Sequence, residues 1–200
     1  MGDRQEETDI EALMDPASDI LTDKQSYSLK NSLWDLFRVL LAAVAVAAFT
    51  MVFFRASLVR GSSMEPTLHD GDCIFVQMAG YDDPQRGDIV AIRSREEEGK
   101  HLIKRIIAVG GDTVQIDFEA GAVYLNGHRL EEPYTAGPTY LAGDIPFPVT
   151  VPRGYYFVLG DNRNHSQDSR SSVLGLVPEE DIEGKAVFRF YPLGSFGPVS

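Results

Sequence analysis

The stretch Leu102-Ile103-Lys104-Arg105-Ile106-Ile107-Ala108-Val109-Gly110-Gly111-Asp112-Thr113-Val114-Gln115-Ile116 reads as two strands about a tight turn. Val and Ile dominate both arms, and Gly-Gly-Asp between them supplies the backbone freedom a turn requires. The same pattern extends outward: residues 73–78, 88–92, 122–125, 155–159 and 186–191 are short runs rich in Val, Ile, Tyr and Phe. They are separated by Gly71-Asp72, Pro84, Arg86-Gly87-Asp88 and Pro152-Arg153-Gly154, all turn-formers. Asn126-Gly127, followed by residues 128–130, is a two-residue hairpin signal. No long helical period competes. The expectation is a mainly β domain whose antiparallel sheets form a sandwich or irregular barrel. Residues 131–153 carry Pro133, Pro138, Pro146, Pro148 and Pro152 and are expected to run as an extended surface loop.

The chain has 200 residues, 44% of them apolar, enough for a sizeable core without disulfides. The single cysteine, Cys73, excludes an internal disulfide and a Cys-x-x-Cys site, and is expected to be a buried strand residue. The net charge of −12 argues against nucleic acid as a partner. Nine acids and three bases fall in the first 35 residues. Residues 1–35 are therefore expected to be an acidic, largely disordered tail, with a helical turn near residues 10–13.

From Val39 to Phe54 the run VLLAAVAVAAFTMVFF has no charge, Gly or Pro. With Leu36 and Phe37 it approaches the ~20 residues needed to cross a bilayer, so residues 36–54 are expected to be a single transmembrane helix. Trp34, Phe53, Phe54 and Arg55 suit the interfaces. Lys24, Lys30 and Arg38 precede or enter the span and Arg55 and Arg60 follow it, so the N-terminus is expected in the cytoplasm and residues 55–200 outside it. A cleavable leader fits worse, because its start would be long and acidic.

Chemistry-bearing residues are few. His69, His101, His128 and His165 lie in turn-rich, polar contexts, with no Gly-x-Ser-x-Gly or His-Glu-x-x-His arrangement and no metal-ligand spacing. No cofactor or metal is expected. Beyond the span only Lys100, Lys104 and Lys185 are lysines. In a strand Lys104 shares a face with Leu102, Ile106 and Ala108. It is either an edge residue reaching water or a desolvated amine. The second case has chemical value, since an amine is a base only when neutral. Moving it from its ordinary ~10.4 to ~8 takes about 3.3 kcal/mol against the charged form, which burial alone can supply. Such a lysine can activate a serine without histidine.

Gly61-Ser62-Ser63-Met64-Glu65-Pro66-Thr67-Leu68 just past the span, then Lys104-Arg105, then Gly160-Asp161-Asn162-Arg163-Asn164-His165-Ser166-Gln167-Asp168-Ser169-Arg170, resemble bacterial type I signal peptidase. Gly71-Asp72, residues 86–90 and Gly175-Leu176-Val177-Pro178 are similar to that family's structural boxes. The resemblance implies that Ser63 is the nucleophile and Lys104 the general base, with Ser166 orienting the lysine and Asp168 and Arg170 an ion pair bracing their loop. The Ser63 N–H is the expected first oxyanion donor. Some relatives carry a hydroxyl two residues before the nucleophile, where this chain has Gly61, so the second donor is left between backbone at Gly61 and the Ser62 hydroxyl. Asn164 and His165 depart from the Asp-Asn of some members, with a modest effect expected.

The implied partners are precursor proteins bearing signal peptides, the lipid bilayer of the inner membrane and the export machinery. Ser63 follows Phe54 by nine residues, so it lies at most about 30 Å from the bilayer edge, where a small-x-small cleavage site would emerge. Met64, Ile74 and Val76 are the expected walls of shallow pockets for the small residues. Two other readings are a self-cleaving repressor, which the acidic tail disfavours, and an inactive membrane-tethered binding module.

Overall fold

The computed structural model describes residues 16–95 and 99–199, with side chains from residue 31 onward. The described chain divides at Thr50/Met51 into two compact units. The first is helical: α1 runs Pro16–Phe53, and within it Asn31–Phe53 is long and apolar enough to cross a membrane. The helix therefore starts upstream of residue 36, and residues 16–35 are helical where an irregular tail was expected. No Gly or Pro interrupts the sequence between Pro16 and Phe53, so a helix nucleated in the apolar run elongates backward without a second nucleation cost. Pro16 suits a first helical position. The helical turn expected near residues 10–13 lies outside the described residues.

In the second unit every strand pairing is antiparallel. One sheet takes β1 (Phe54–Leu58), β2 (Cys73–Gln77), β3 (Ile89–Arg93), β4 (His101–Ala108), β9 (Tyr155–Leu159), β10 (Val177–Pro178), β11 (Ile182–Tyr191) and β12 (Gly197–Pro198). Its order is β1-β2-β11-β3-β4-β9-β10, with β12 on β11. A smaller sheet, β7-β6-β5-β8, takes β5 (Thr113–Asp117), β6 (Ala122–Leu125), β7 (His128–Arg129) and β8 (Val149–Thr150). The seven strands expected from sequence are all present. β1 was hidden because its Phe-Arg-Ala-Ser-Leu follows the apolar span without a turn signal.

The hairpin at Asn126-Gly127 forms with both residues at positive φ, 51° and 83°, the pairing a type I′ turn demands. Asn126 also accepts the Thr113 N–H through Oδ1 at 2.8 Å. Three apolar clusters form the core. Val114, Ile116, Val123 and Leu125 of the small sheet meet Ile107, Phe157 and Leu159 of the large one. β3 is buried along four successive residues because Ile89 and Ala91 join one cluster and Val90 and Ile92 another. Apolar cover on both faces of a central strand gives a continuous apolar run rather than alternation. Cys73 is half-buried rather than buried: β2 alternates, sending Ile74 and Val76 inward. Residues 131–153 run mostly without secondary structure, although Thr139 and Val151 are buried.

Candidate active site

Ser63 sits in the irregular connection between β1 and β2. Its neighbours pin that segment: Met64 and Leu68 are wholly buried in the cluster that holds Ile74 and Val76. Thr67 Oγ1 donates to Asp161 Oδ2 at 2.5 Å. The apolar side chains sink and the serine just before them stays at the rim, half-buried.

Lys104 comes from β4, where it is the register partner of Val90. It is 3% exposed. Its Nζ donates to Ser63 Oγ at 2.9 Å and to the Ile103 carbonyl at 2.9 Å. The alternative of an edge lysine reaching water is thereby excluded. Burial lowers the Lys104 pKa to about 8, against the opposing pull of the Asp168 and Asp161 carboxylates. Both carboxylates are themselves engaged. Asp161 accepts from Arg105 at 2.9 and 2.8 Å, and Asp168 from Arg170 at 2.8 and 2.9 Å. Pairing blunts the field that each would otherwise exert on the amine.

Ser63 and Lys104 open onto a cleft of about 700 Å³ that Leu58, Val59, Met64, Leu102 and Ile103 also line. Met64 therefore borders the cleft as expected, whereas Ile74 and Val76 do not: the alternation of β2 turns both into the core behind it.

Two further expectations are corrected. The Gly61 N–H donates to Asp70 Oδ1 at 2.7 Å, so in this structure it is committed and not free as an oxyanion donor. The Ser63 N–H makes no hydrogen bond among the described residues. Ser166 Oγ is buried with no hydrogen-bond partner among the described residues, so it does not hold the Lys104 amine in this structure; Ser63 Oγ and the Ile103 carbonyl do. Ser166 nonetheless lies close. A Cβ on Gly160 would come within 2.2 Å of Ser166 Oγ and 2.5 Å of the Ser63 carbonyl oxygen. Only glycine lets these three segments meet.

Asp168 and Arg170 form the expected ion pair, and Arg170 also donates to the Arg163 carbonyl at 2.5 Å and the Leu141 carbonyl at 2.7 Å. The sequence reading missed Gly160, Arg105, Asp161 and Asn162 as parts of the site, although all four stand inside the quoted motifs. It also missed Arg163, wholly buried and paired with Glu132 at 2.5 Å. Among the described residues no group of three His, Cys, Asp or Glu is placed to hold a metal ion.

Residues 33–191 match the family described as signal peptidase, peptidase S26. Signal peptidase I of Bacillus licheniformis is 40% identical over 183 residues, covering 86% of this chain and 96% of that protein. The chain belongs to the signal peptidase S26 family. Among other family members, signal peptidase I T of Bacillus subtilis strain 168 is 40% identical over 182 residues, covering 86% of this chain and 92% of its own. The probable signal peptidase I-2 of a Synechocystis strain is 38% identical over 186 residues, covering 88% and 82%. A crystal structure of a signal peptidase I from Enterococcus faecalis is 34% identical, with a TM-score of 0.44, covering 53% of this chain and 98% of that one. As a signal peptidase by family, the chain is a hydrolase of the serine endopeptidase kind, and its α1 fits the membrane anchoring of such enzymes.

Proposed function

We propose that the chain removes signal peptides from exported precursor proteins, with Ser63 as nucleophile and Lys104 as general base. One observation carries this reading: an amine 3% exposed lies 2.9 Å from a serine hydroxyl at the wall of an open cleft. With its pKa lowered to about 8, Lys104 is neutral in a substantial fraction of molecules near that pH.

The neutral Nζ takes the Ser63 hydroxyl proton as Oγ attacks the scissile carbonyl. The tetrahedral oxygen is met by the Ser63 N–H. The intermediate collapses to an ester as the Lys104 ammonium returns its proton to the departing amine. A water then gives a proton to Lys104 and attacks the ester, and the Lys104 ammonium returns that proton to Ser63 Oγ as the acyl–oxygen bond breaks, releasing the signal peptide and restoring the hydroxyl. Leu58, Val59, Met64, Leu102 and Ile103 offer apolar walls suited to alanine-sized residues before the cut.

The same reading takes residues 36–53 of α1 as transmembrane, one residue short of the expected end because Phe54 opens β1, and residues 1–35 as the cytoplasmic side. Residues 55–200 form the catalytic domain on the far side of the inner membrane, beside the lipid and the export machinery. The test incubates detergent-solubilised enzyme with a precursor bearing an Ala-x-Ala site. Ser63→Ala and Lys104→Ala are each expected to abolish turnover while the wild type cleaves; unchanged cleavage by either would falsify the dyad.

A further inference from the structure

The nucleophile's own N–H belongs to the peptide unit whose carbonyl is that of Ser62. That unit is planar and trans, so its N–H and C=O point in opposite directions, and whatever fixes the Ser62 carbonyl also aims the Ser63 N–H. Asn162 reaches that carbonyl from 100 residues away: its Nδ2 donates to Ser62 O at 3.1 Å. The Asn162 backbone N–H donates to the next carbonyl, Ser63 O, at 3.0 Å. The second lone pair of Ser62 O accepts the Glu65 N–H at 3.1 Å. The peptide is thus gripped on its acceptor side while its donor stays unpaired among the described residues.

The side chain of Asn162 is itself oriented. Its Oδ1 lies 3.3 Å from His165 Nδ1. Since Nδ2 must donate to Ser62 O, Oδ1 is the acceptor, and the hydrogen sits on His165 Nδ1. The His165 N–H closes the turn on the Asn162 carbonyl at 2.9 Å. With Gly61 N–H committed to Asp70, the unpaired donor carried by the nucleophile itself is the Ser63 N–H, so its aim weighs heavily. Hydrogen bonds accepted by a carbonyl polarise its peptide and strengthen the N–H at the other end.

We infer that Asn162 is a positioning residue for oxyanion stabilisation, holding and polarising the Ser62–Ser63 peptide, with His165 locking the Asn162 amide in the orientation this requires. The inference rests on Ser63 being the nucleophile, but it adds a role to two side chains that bond to neither the Ser63 hydroxyl nor the Lys104 amine.

The test uses full-length enzyme in detergent and compares wild type with Asn162→Ala, Asn162→Asp and His165→Ala. Measured are kcat and KM for an Ala-x-Ala precursor, the pH profile, and inhibition by a peptide aldehyde of the same sequence. The aldehyde carbon bonds to Ser63 Oγ, the hydroxyl proton ending on the hemiacetal oxygen or on Lys104, and that oxygen occupies the tetrahedral position. A full oxyanion donor is worth about 100- to 1,000-fold in kcat. A misaimed one is expected to cost about 10- to 100-fold in Asn162→Ala and at least as much in Asn162→Asp, whose carboxylate oxygen would face Ser62 O.

KM is expected to stay within about twofold, the aldehyde to weaken in step with kcat, and the ascending pH limb to stay in place. His165→Ala is expected to show a smaller loss with the same split, which keeps the test decisive should an Asn162 variant fail to fold. A loss confined to KM, a displaced pH limb, or unchanged aldehyde affinity would overturn the positioning role and make Asn162 a mere loop brace. Ser63→Ala in parallel separates the two levels: residual cleavage there defeats the nucleophile assignment, whereas its complete inactivity beside an unaffected Asn162→Ala defeats only this inference.

Discussion

At the residue scale, Lys104 is a cost that the fold carries for function. Its amine is buried in place of an apolar group, and the folded pKa of about 8 lies below the ordinary 10.5. Below pH 8 the amine is charged in both folded and unfolded chains, and the folded state bears the whole desolvation penalty. Between about 8 and 10.5 the folded amine is neutral while the unfolded one still holds its proton, so stability rises with pH across that window. Lys104→Met, which keeps the bulk without the charge, is expected to be more stable than wild type at pH 7. The gain is of order 3 kcal/mol at most and should shrink toward zero by pH 10.5. Denaturant midpoints of the two proteins at pH 7 and pH 10 check this, and a gap independent of pH would place the amine in water. The same titration predicts that kcat/KM rises with pH through about 8. A limb at the free-lysine value would mean the base is elsewhere.

At the scale of elements, the site is an agreement between three pieces of backbone: the β1–β2 connection, β4, and the turn after β9. Arg105 and Leu159 are register partners across β4 and β9, and the Arg105–Asp161 pair, 4% and 0% exposed at the side chains, locks the turn to the strand that carries the base. Tyr134 stacks beneath the Arg105 guanidinium at 4.0 Å, burying it further. Desolvated pairs of this kind add little net stability but are costly to break from one side, which suits a role in fixing geometry. Gly160 is where the pieces touch. Gly160→Ala places a methyl 2.2 Å from Ser166 Oγ and 2.5 Å from Ser63 O, so backbone must move. The expected result is a loss of about 100-fold in kcat/KM with a stability cost of only about 1–3 kcal/mol. Steady-state kinetics beside thermal unfolding check it, and a variant with normal activity would mean that the turn and the serine segment are not in contact.

For the whole molecule, the charge pattern and the span set the expected topology. Nine of the acids sit in the first 35 residues, and Lys24, Lys30 and Arg38 outnumber the bases just past the span, an imbalance that predicts an inward N-terminus. In right-side-out vesicles added protease is expected to digest the β unit and spare an N-terminal epitope; a spared β unit with a digested N-terminus would reverse the orientation. Much of the architecture was legible in the chain. Short Val- and Ile-rich runs between turn-formers gave the strands, Asn126-Gly127 gave its hairpin, and the apolar run gave the core of α1, because strand, turn and helix preferences depend on neighbours a few residues apart. Ser63 and Lys104 were legible as a pair only through the family motifs, not from the local pattern around either residue. Their contact joins residues 41 apart in sequence and depends on a sheet order in which β11, from near the chain's end, inserts between β2 and β3. Tertiary structure alone decided that the Gly61 N–H is spent on Asp70, that Ile74 and Val76 lie behind the cleft, and that Asn162 grips the serine's peptide. Each of these is set by which distant group fills a hydrogen bond or a cavity, and local sequence preferences carry no information about that choice.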